Sequence, residues 1–307
     1  MFNQASIIIA SRNEGAMLRQ TIEFIKRAPT NIPYEIIAVD DGSSDDSFEW
    51  LKTSADTIIR YEQTSGKGQG HGYARNKGAR MASGNMLVFC DAHIDVEPYW
   101  LEEFVRVMEK YGADAVTPAF RELNHDNPLY SKINSPDPEY GSVGCGMTLW
   151  RLTETEWMYG HVSPFEAPIL SGACWAVRSE AFWKVGGYEE TFRGYGGDDA
   201  EISIKLWLNG FTLYATPNIC VSHQFRIKAP YQVSWTDVMH NKLYIALCHY
   251  NDTRVERLLK EQSIFLMANK IYNEVFTTEN IKRVRLPKFE RRVHDDDWFF
   301  SRFNLNL

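Results

Sequence analysis

The alternation in roughly the first 120 residues most constrains what this chain can fold into. The β-rich runs "SIIIA", "YEIIAVD", "TIIRY", "MLVFC" and "DAVTP" are separated by stretches with apolar residues near helical spacing. Those stretches lie around Met17–Arg27, Ser47–Thr53, Gly70–Met81 and Tyr99–Tyr111. A helix that carries the chain back between successive strands builds a parallel sheet covered by crossovers. The expected fold is therefore α/β: an open, Rossmann-like, mostly parallel sheet.

In such sheets ligands collect beyond the carboxyl ends of the strands. Three polar clusters fall there: "SRNE" after the first strand, "DDGSSDDS" after the second and "DAHID" after the fourth. They are expected to converge on one crevice, with Ser11, Arg12 and Glu14 meeting Asp40 and Asp41 around a nucleotide. A carboxylate fixed at a strand end accepts hydrogen bonds from a uracil or a ribose, which suits Asp40 and Asp41. Asp45 and Asp46 stand just before a helical stretch and read as cap residues. "SGKGQGHG" lacks the G-K-[ST] ending of a phosphate loop, so Lys67 reads as a loop residue.

The third cluster carries the sharpest chemistry. Alternate residues of an extended segment point the same way, so Asp91 and His93 can reach one ion while Ala92 turns aside. A carboxylate with a neutral imidazole suits manganese or another borderline divalent cation, whereas magnesium prefers an oxygen shell. Two protein ligands leave room for a nucleotide diphosphate to complete the coordination.

From Phe120 to Pro168 the chain is rich in Pro, Gly, Asn and aromatics without a clear period, and reads as long loops that shape a substrate site. Further on, "ILSGACWAV" reads as a strand. "GYGGDDAEISIKLWLNG" reads as a turn feeding a helix, with Asp198 as N-cap and Gly210 as the stop. "FTLYATP" and "CVSHQFR" read as a strand pair, and beyond about Pro230 the chain reads as mostly helical, a packed appendage.

Composition excludes some classes. With 33 basic and 40 acidic residues the formal charge is -7, which opposes nucleic-acid binding through a broadly basic surface. No run of about 18 apolar residues marks a transmembrane helix, and no basic region precedes an apolar core at the start. Five scattered cysteines without CxxC spacing suggest neither a disulfide framework nor a structural zinc site, but reduced thiols in a cytoplasmic protein. The basic C-terminal tail offers a peripheral contact with an anionic membrane.

Five stretches, in order and with compatible spacing, resemble the GT-A glycosyltransferases and, within them, most closely the polypeptide N-acetylgalactosaminyltransferases. They are "VDDGSSDD", "YARNKGARMASGNMLVFCDAH", "PILSGACWAV", "GGYEETFRGYGGDDAEISIKLWLNG" and "SHQFRIKAPY", and the resemblance covers roughly Ser6 to Tyr250. It implies a GT-A catalytic domain over 1–228, with a nucleotide-binding half at 1–118, an acceptor and sugar half at 119–228, and a helical extension at 229–307. The implied activity is metal-dependent transfer of a hexose or N-acetylhexosamine from a UDP-sugar to a hydroxyl or thiol. The acceptor would be a peptide, a glycan or a lipid-linked sugar.

Carried over residue by residue, the resemblance makes His223 the third protein ligand to manganese beside Asp91 and His93. It puts Arg75 and Arg226 on the phosphates, closes Tyr231 over them, and lines the sugar pocket with Gly172, Ala173, Tyr195 and Gly197. Ala173 stands where the family has a second glycine, so its methyl is expected to crowd the hexose. Tyr195 replaces a tryptophan, and Ala229 stands where a polar residue is usual. No lectin domain, anchor or stem accompanies these motifs, which fits a bacterial-type cytosolic enzyme. Asp198 matches the glutamate of the retaining family's GGEN and Asp199 its asparagine. Inverting GT-A enzymes write GGED here and use the aspartate as general base, a device worth about 10² to 10⁴ in rate. The metal trio and the "HQFR" stretch follow the retaining family more fully, so retention is the expected outcome. Inversion through Asp199 and a nonenzymatic nucleotide-sugar module are the alternatives.

Overall fold

A computed structural model describes residues 2–54, 56, 58–64, 68–123, 142–226, 230–261 and 265–307. Lys67 and Ala229 lie outside them. The first half runs β1 (Ala5–Ser11), α1 (Ala16–Arg27), β2 (Tyr34–Asp40), α2 (Glu49–Lys52), β3 (Ile59–Gln63), α3 (His71–Met81), β4 (Met86–Cys90), β5 (Ile94–Asp95), α4 (Trp100–Tyr111) and β6 (Ala115–Glu122). Every residue of β1 and β4 is buried, as expected of apolar strands covered on both faces. The helices present apolar faces to the sheet: Leu18, Thr21, Ile22 and Ile25 of α1 are buried, as are Leu101, Phe104, Val107 and Met108 of α4.

The second half adds β7 (Ser142–Cys145), β8 (Met147–Arg151), β9 (Glu154–Trp157), β10 (Phe165–Glu166), β11 (Cys174–Arg178), α5 (Ser179–Lys184), α6 (Asp198–Leu208) and β12 (Leu213–His223). The main sheet has the order β10-β12-β6-β11-β4-β1-β2-β3. β1 to β4 pair in parallel, but β11 is inserted antiparallel between β4 and β6, so the sheet is mixed. That insertion places Cys174 opposite Cys90, and so carries Gly172 and Ala173 to the end of β4 where Asp91 begins.

Three expectations change. The segment read as loops contains β7 and the antiparallel hairpin β8–β9, whose Met147 and Leu149 are buried while Trp150 faces solvent. The expected strand pair is one long strand, β12, with a register shift between Thr216 and Cys220. Pro217, which has no N–H to donate, sits at that irregularity. Asp45 does not cap α2; its carboxylate accepts from the backbone N–H of Gly15, just ahead of α1, and from Ser47.

The chain continues as α7 (Trp235–His249), α8 (Asp252–Glu261), α9 (Phe265–Val275), α10 (Thr278–Asn280), a π turn at Ile281–Arg285, α11 (Leu286–Arg291) and α12 (Asp296–Arg302). These helices are not peripheral. Leu243, Ile245 and Leu247 of α7 and Phe299 of α12 share one core cluster with Ile8, Phe89 and Trp175 of the sheet.

Candidate functional site

The carboxyl ends of β1, β2 and β4 open onto a cavity of about 820 Å³, within the ~300–1,000 Å³ usual for small-molecule sites. Ser11, Arg12, Glu14, Asp41, Asp91, His93, Tyr195, His223, Arg226 and Tyr231 all line it. Asp40, Arg75, Gly172, Ala173, Gly197, Asp198 and Asp199 stand behind that wall.

Asp91, His93 and His223 come together as the DxH pattern and the distant histidine require. Their ligand atoms lie within 4.8 Å of one another. Asp91 Oδ2 is 3.2 Å from His223 Nε2 and 3.9 Å from His93 Nε2. β12 brings His223 in by pairing with Ile94 of β5, the residue after His93. The outer sides of Asp91 and His93 face charged partners. Glu14 Oε2 sits 3.3 Å from His93 Nδ1, an arrangement that leaves Nε2 to face the trio. Glu14 also accepts from Arg226, at 2.8 Å for Nη1 and through Nη2 as well. Burial pushes the Glu14 carboxyl up, but hydrogen bonds from His93 and Arg226 outweigh it and keep the group ionised. One hard oxygen and two borderline nitrogens beside an open cavity fit a divalent cation.

Arg75 departs from its expected phosphate role. It is 0 % exposed, and its guanidinium donates to Asp91 Oδ1 at 3.0 Å, to the Gly172 carbonyl at 2.6 Å and to the Tyr188 hydroxyl at 3.0 Å. Trp175 Nε1 also donates to that hydroxyl, at 2.8 Å. Burial raises the Asp91 carboxyl, while the His223 hydrogen bond and the Arg75 charge hold it well below the usual carboxylate range. Arg75 is thus an orienting group for Asp91, and Tyr188, which sequence reasoning missed, orients Arg75.

The nucleotide-side carboxylates divide. Asp41 accepts from Gln69 N, Gly70 N and Thr64 Oγ1, shaping the approach to α3. Asp40 is taken up by Ser43 N, Gln63 Nε2 and Tyr61.

On the sugar side, Gly197 rather than Asp198 occupies the N-cap of α6, at φ +91°, a conformation that favours glycine. Asp198 and Asp199 open the helix itself. A Cβ on Gly172 would fall 2.0 Å from Asp199 Oδ1, so any larger residue there would push that carboxylate aside. Burial raises both acids, to about 7 for Asp198, with Asp199 beside it, and to about 6 for Asp199, which Arg75 and the Gly172 N–H oppose. Ala173 packs its methyl against the core on the α1 and α4 side of the sheet and is absent from the cavity wall, contrary to the expected crowding. Tyr195 is 56 % exposed at the cavity rim.

A second donor cluster, Glu201, Cys248 and His249, is fully buried behind the site. Its carboxylate already meets Lys205 at 2.9 Å and His249 at 3.0 Å, while Lys288 lies 3.1 Å from Cys248 Sγ.

Residues 6–186 match the glycosyl transferase family 2 profile, and residues 163–231 match the N-terminal domain of galactosyltransferase. Polypeptide N-acetylgalactosaminyltransferase 11 of Xenopus tropicalis is 31 % identical over 79 % of this chain and 42 % of its own length. Polypeptide N-acetylgalactosaminyltransferase 8 of Drosophila melanogaster is 27 % identical over 96 % of this chain and 50 % of its own. The chain therefore spans about half or less of these curated relatives. In fold it resembles GalNAc-T7 solved with UDP, GalNAc and Mn2+, with a TM-score of 0.72 at 19 % identity over 99 % of this chain and 57 % of that one. S. aureus TarS solved with UDP-GlcNAc gives 0.57 at 14 % identity over 94 % and 78 %. The architecture is thus GT-A. A profile match over more than half the residues, on a fold shared with both neighbours, places the chain in glycosyl transferase family 2.

Proposed function

We propose that this protein is a metal-dependent transferase moving a hexose or N-acetylhexosamine from a UDP-sugar to a hydroxyl acceptor. The observation that carries the reading is the convergence of Asp91, His93 and His223 on the wall of the cavity. Family membership supports it, as do relatives named as polypeptide N-acetylgalactosaminyltransferases and a neighbour solved with UDP, GalNAc and Mn2+. These relatives favour a polypeptide hydroxyl as acceptor, with a glycan or lipid-linked sugar next.

Asp91, His93 and His223 would hold manganese, which when bound supplies positive charge to the departing diphosphate. Arg75 keeps Asp91 ionised and aimed, and Glu14 orients His93 and Arg226. Arg226 and Tyr231 border the space the phosphates would fill, and Ser11, Arg12 and Asp41 the space for the nucleoside. We retain the division into a catalytic part at 1–228 and a helical extension at 229–307, with the extension sharing the catalytic core. Five free thiols, four of them buried, fit a reducing, cytoplasmic setting. Among the described residues no helix is long and apolar enough to cross a membrane.

Retention is the outcome the geometry favours, because Asp199 turns its Oδ1 onto Gly172 rather than into the cavity. Its raised pKa, about 6, supports the inverting alternative, since it suits a general base. Incubation with UDP-N-acetylgalactosamine or UDP-N-acetylglucosamine and Mn2+ is expected to release UDP, and chelator to stop it. Absence of both UDP release and UDP binding across a panel of donors would refute the assignment. A product whose anomeric configuration is opposite to the donor's, lost in Asp199→Asn, would make Asp199 the base.

A further inference from the structure

His71 opens α3 and belongs to none of the groups assigned above, yet it lines the cavity. Its side chain is 34 % exposed, and its Nε2 is 3.7 Å from Asp91 Oδ1, too far for a hydrogen bond. His93 and His223 approach the other oxygen, Oδ2, so His71 stands on the opposite edge of the carboxylate from the metal-facing imidazoles. Its neighbours in the chain fix what else surrounds it. A methyl on Gly70 would lie 3.6 Å from the Phe192 carbonyl and 3.9 Å from Gly194, and one on Gly72 would lie 3.3 Å from Asp198 Oδ1. His71 thus faces the cavity beside the candidate metal carboxylate, on a wall it shares with the Phe192–Tyr195 loop, while the glycines on either side of it let the start of α3 approach that loop and Asp198.

In a sugar transfer the hexose must occupy the space between the diphosphate and the groups that act at the anomeric carbon. On the proposed transferase reading, that space is the one His71 enters. We infer that His71 is a donor-sugar contact, hydrogen-bonding a hydroxyl or the acetamido group of the transferred hexose, and that it helps decide which UDP-sugar is accepted. An imidazole at this edge of the cavity brings a ring nitrogen within reach of a polar substituent on the bound sugar.

The role separates from metal and nucleotide binding by comparing two ligands. Calorimetric titration with Mn2+ present is to be run with UDP and with UDP-N-acetylgalactosamine, on the wild type, His71→Ala and His71→Gln. We expect His71→Ala to bind UDP within twofold of wild type and the UDP-sugar roughly tenfold more weakly, the scale of one lost hydrogen bond in a closed site. His71→Gln, which keeps a donor and an acceptor, is expected to recover part of that loss and to shift the ranking among UDP-hexoses. Equal weakening toward UDP and UDP-sugar would overturn the inference, because His71 would then act on the metal or the phosphates. Unchanged binding of both ligands would overturn it as well. Failure of the wild type to bind UDP with Mn2+ would remove the transferase reading itself, a result that cannot be confused with either.

Discussion

Two clusters of carboxylate and imidazole in this molecule look alike by composition. Asp91, His93 and His223 form one; Glu201, Cys248 and His249, with Glu189, Lys205 and Lys288, form the other. In the first, the ligand atoms line a cavity, and the cations nearby, on Arg75 and Arg226, meet the outer edges of Asp91 and Glu14. In the second, ammonium groups sit on the carboxylates themselves; burial raises the Glu201 carboxyl, but the Lys205 charge, the His249 hydrogen bond and the Lys288 charge outweigh it and hold the group ionised far below the usual range. A divalent ion placed beside the buried Lys205 and the partly buried Lys288 would meet Coulomb repulsion from both ammonium groups, which makes the second cluster a structural ion network. What separates a metal site from a salt-bridge network is the direction its charges face.

The largest effect expected from this contrast is on turnover. Chelation, or Asp91→Asn, should lower the rate at least ~100-fold, the upper range seen when metal affinity is compromised, with Mn2+ restoring the chelated enzyme better than Mg2+. The same chelator should lower the melting temperature only by the small amount that loss of Mn2+ from the first cluster accounts for, since the second cluster needs no ion. A large thermal shift on chelation would show that the two clusters are not distinct in this way.

Lys205→Met tests the other side. It leaves Glu201 buried with one cation fewer, a change worth about 3–5 kcal/mol of stability by denaturant titration. The Mn2+ concentration for half-maximal activity should not move. A shifted metal dependence without loss of stability would mean that the network serves the metal after all.

The sequence made these two regions unequally legible. Asp91 and His93 are two apart on an extended segment, so alternation alone predicts their meeting. His223, far along the chain, entered only through the "HQFR" resemblance. The i,i+4 spacing of Glu201 and Lys205 is the same for an exposed pair and a buried one; only α7 and α11 packing near α6 makes this pair core. The phosphate role of Arg75 rests on the resemblance alone, and nothing in its helix position tells how deeply it is buried. The alternation of strands and helices fixed the parallel half of the sheet, but β11's antiparallel insertion depends on contacts with β4 and β6 that no local period encodes.

A smaller effect comes from Asp198, at the start of the helix that joins the two regions. Its carboxyl is raised to about 7 by burial and by Asp199, so the folded chain keeps a proton that the unfolded chain releases near pH 4. Stability should therefore fall as pH rises from about 4 to about 7 and stay low above that. At about 1.4 kcal/mol per pKa unit, Asp198→Asn should gain on the order of 4 kcal/mol over wild type at pH 8 and little at pH 4. Equal gains at both pH values, by urea unfolding, would place the cause elsewhere.

The smallest expected effect lies at the residue between the clusters. Tyr188 accepts from Arg75 and Trp175 toward the metal side, and its chain neighbours Gly187 and Glu189 receive Lys205 and Lys288 from the network. Removing its hydroxyl in Tyr188→Phe leaves two buried donors without that acceptor, at a cost of about 1–3 kcal/mol. Arg75 still reaches Asp91 and Gly172, but one of its three anchors is gone, so Asp91 loses orientation rather than charge. Outer-sphere losses of this kind lower metal affinity about 10–100-fold, and the low end is expected here because Arg75 stays buried and bonded. Lys205→Met is the matched control, since it destabilises more while leaving Arg75 alone. If both variants weaken Mn2+ binding in proportion to their lost stability, Tyr188 merely supports the fold. If only Tyr188→Phe does, the hydroxyl orients the metal carboxylate through Arg75, and the two clusters are joined by position alone.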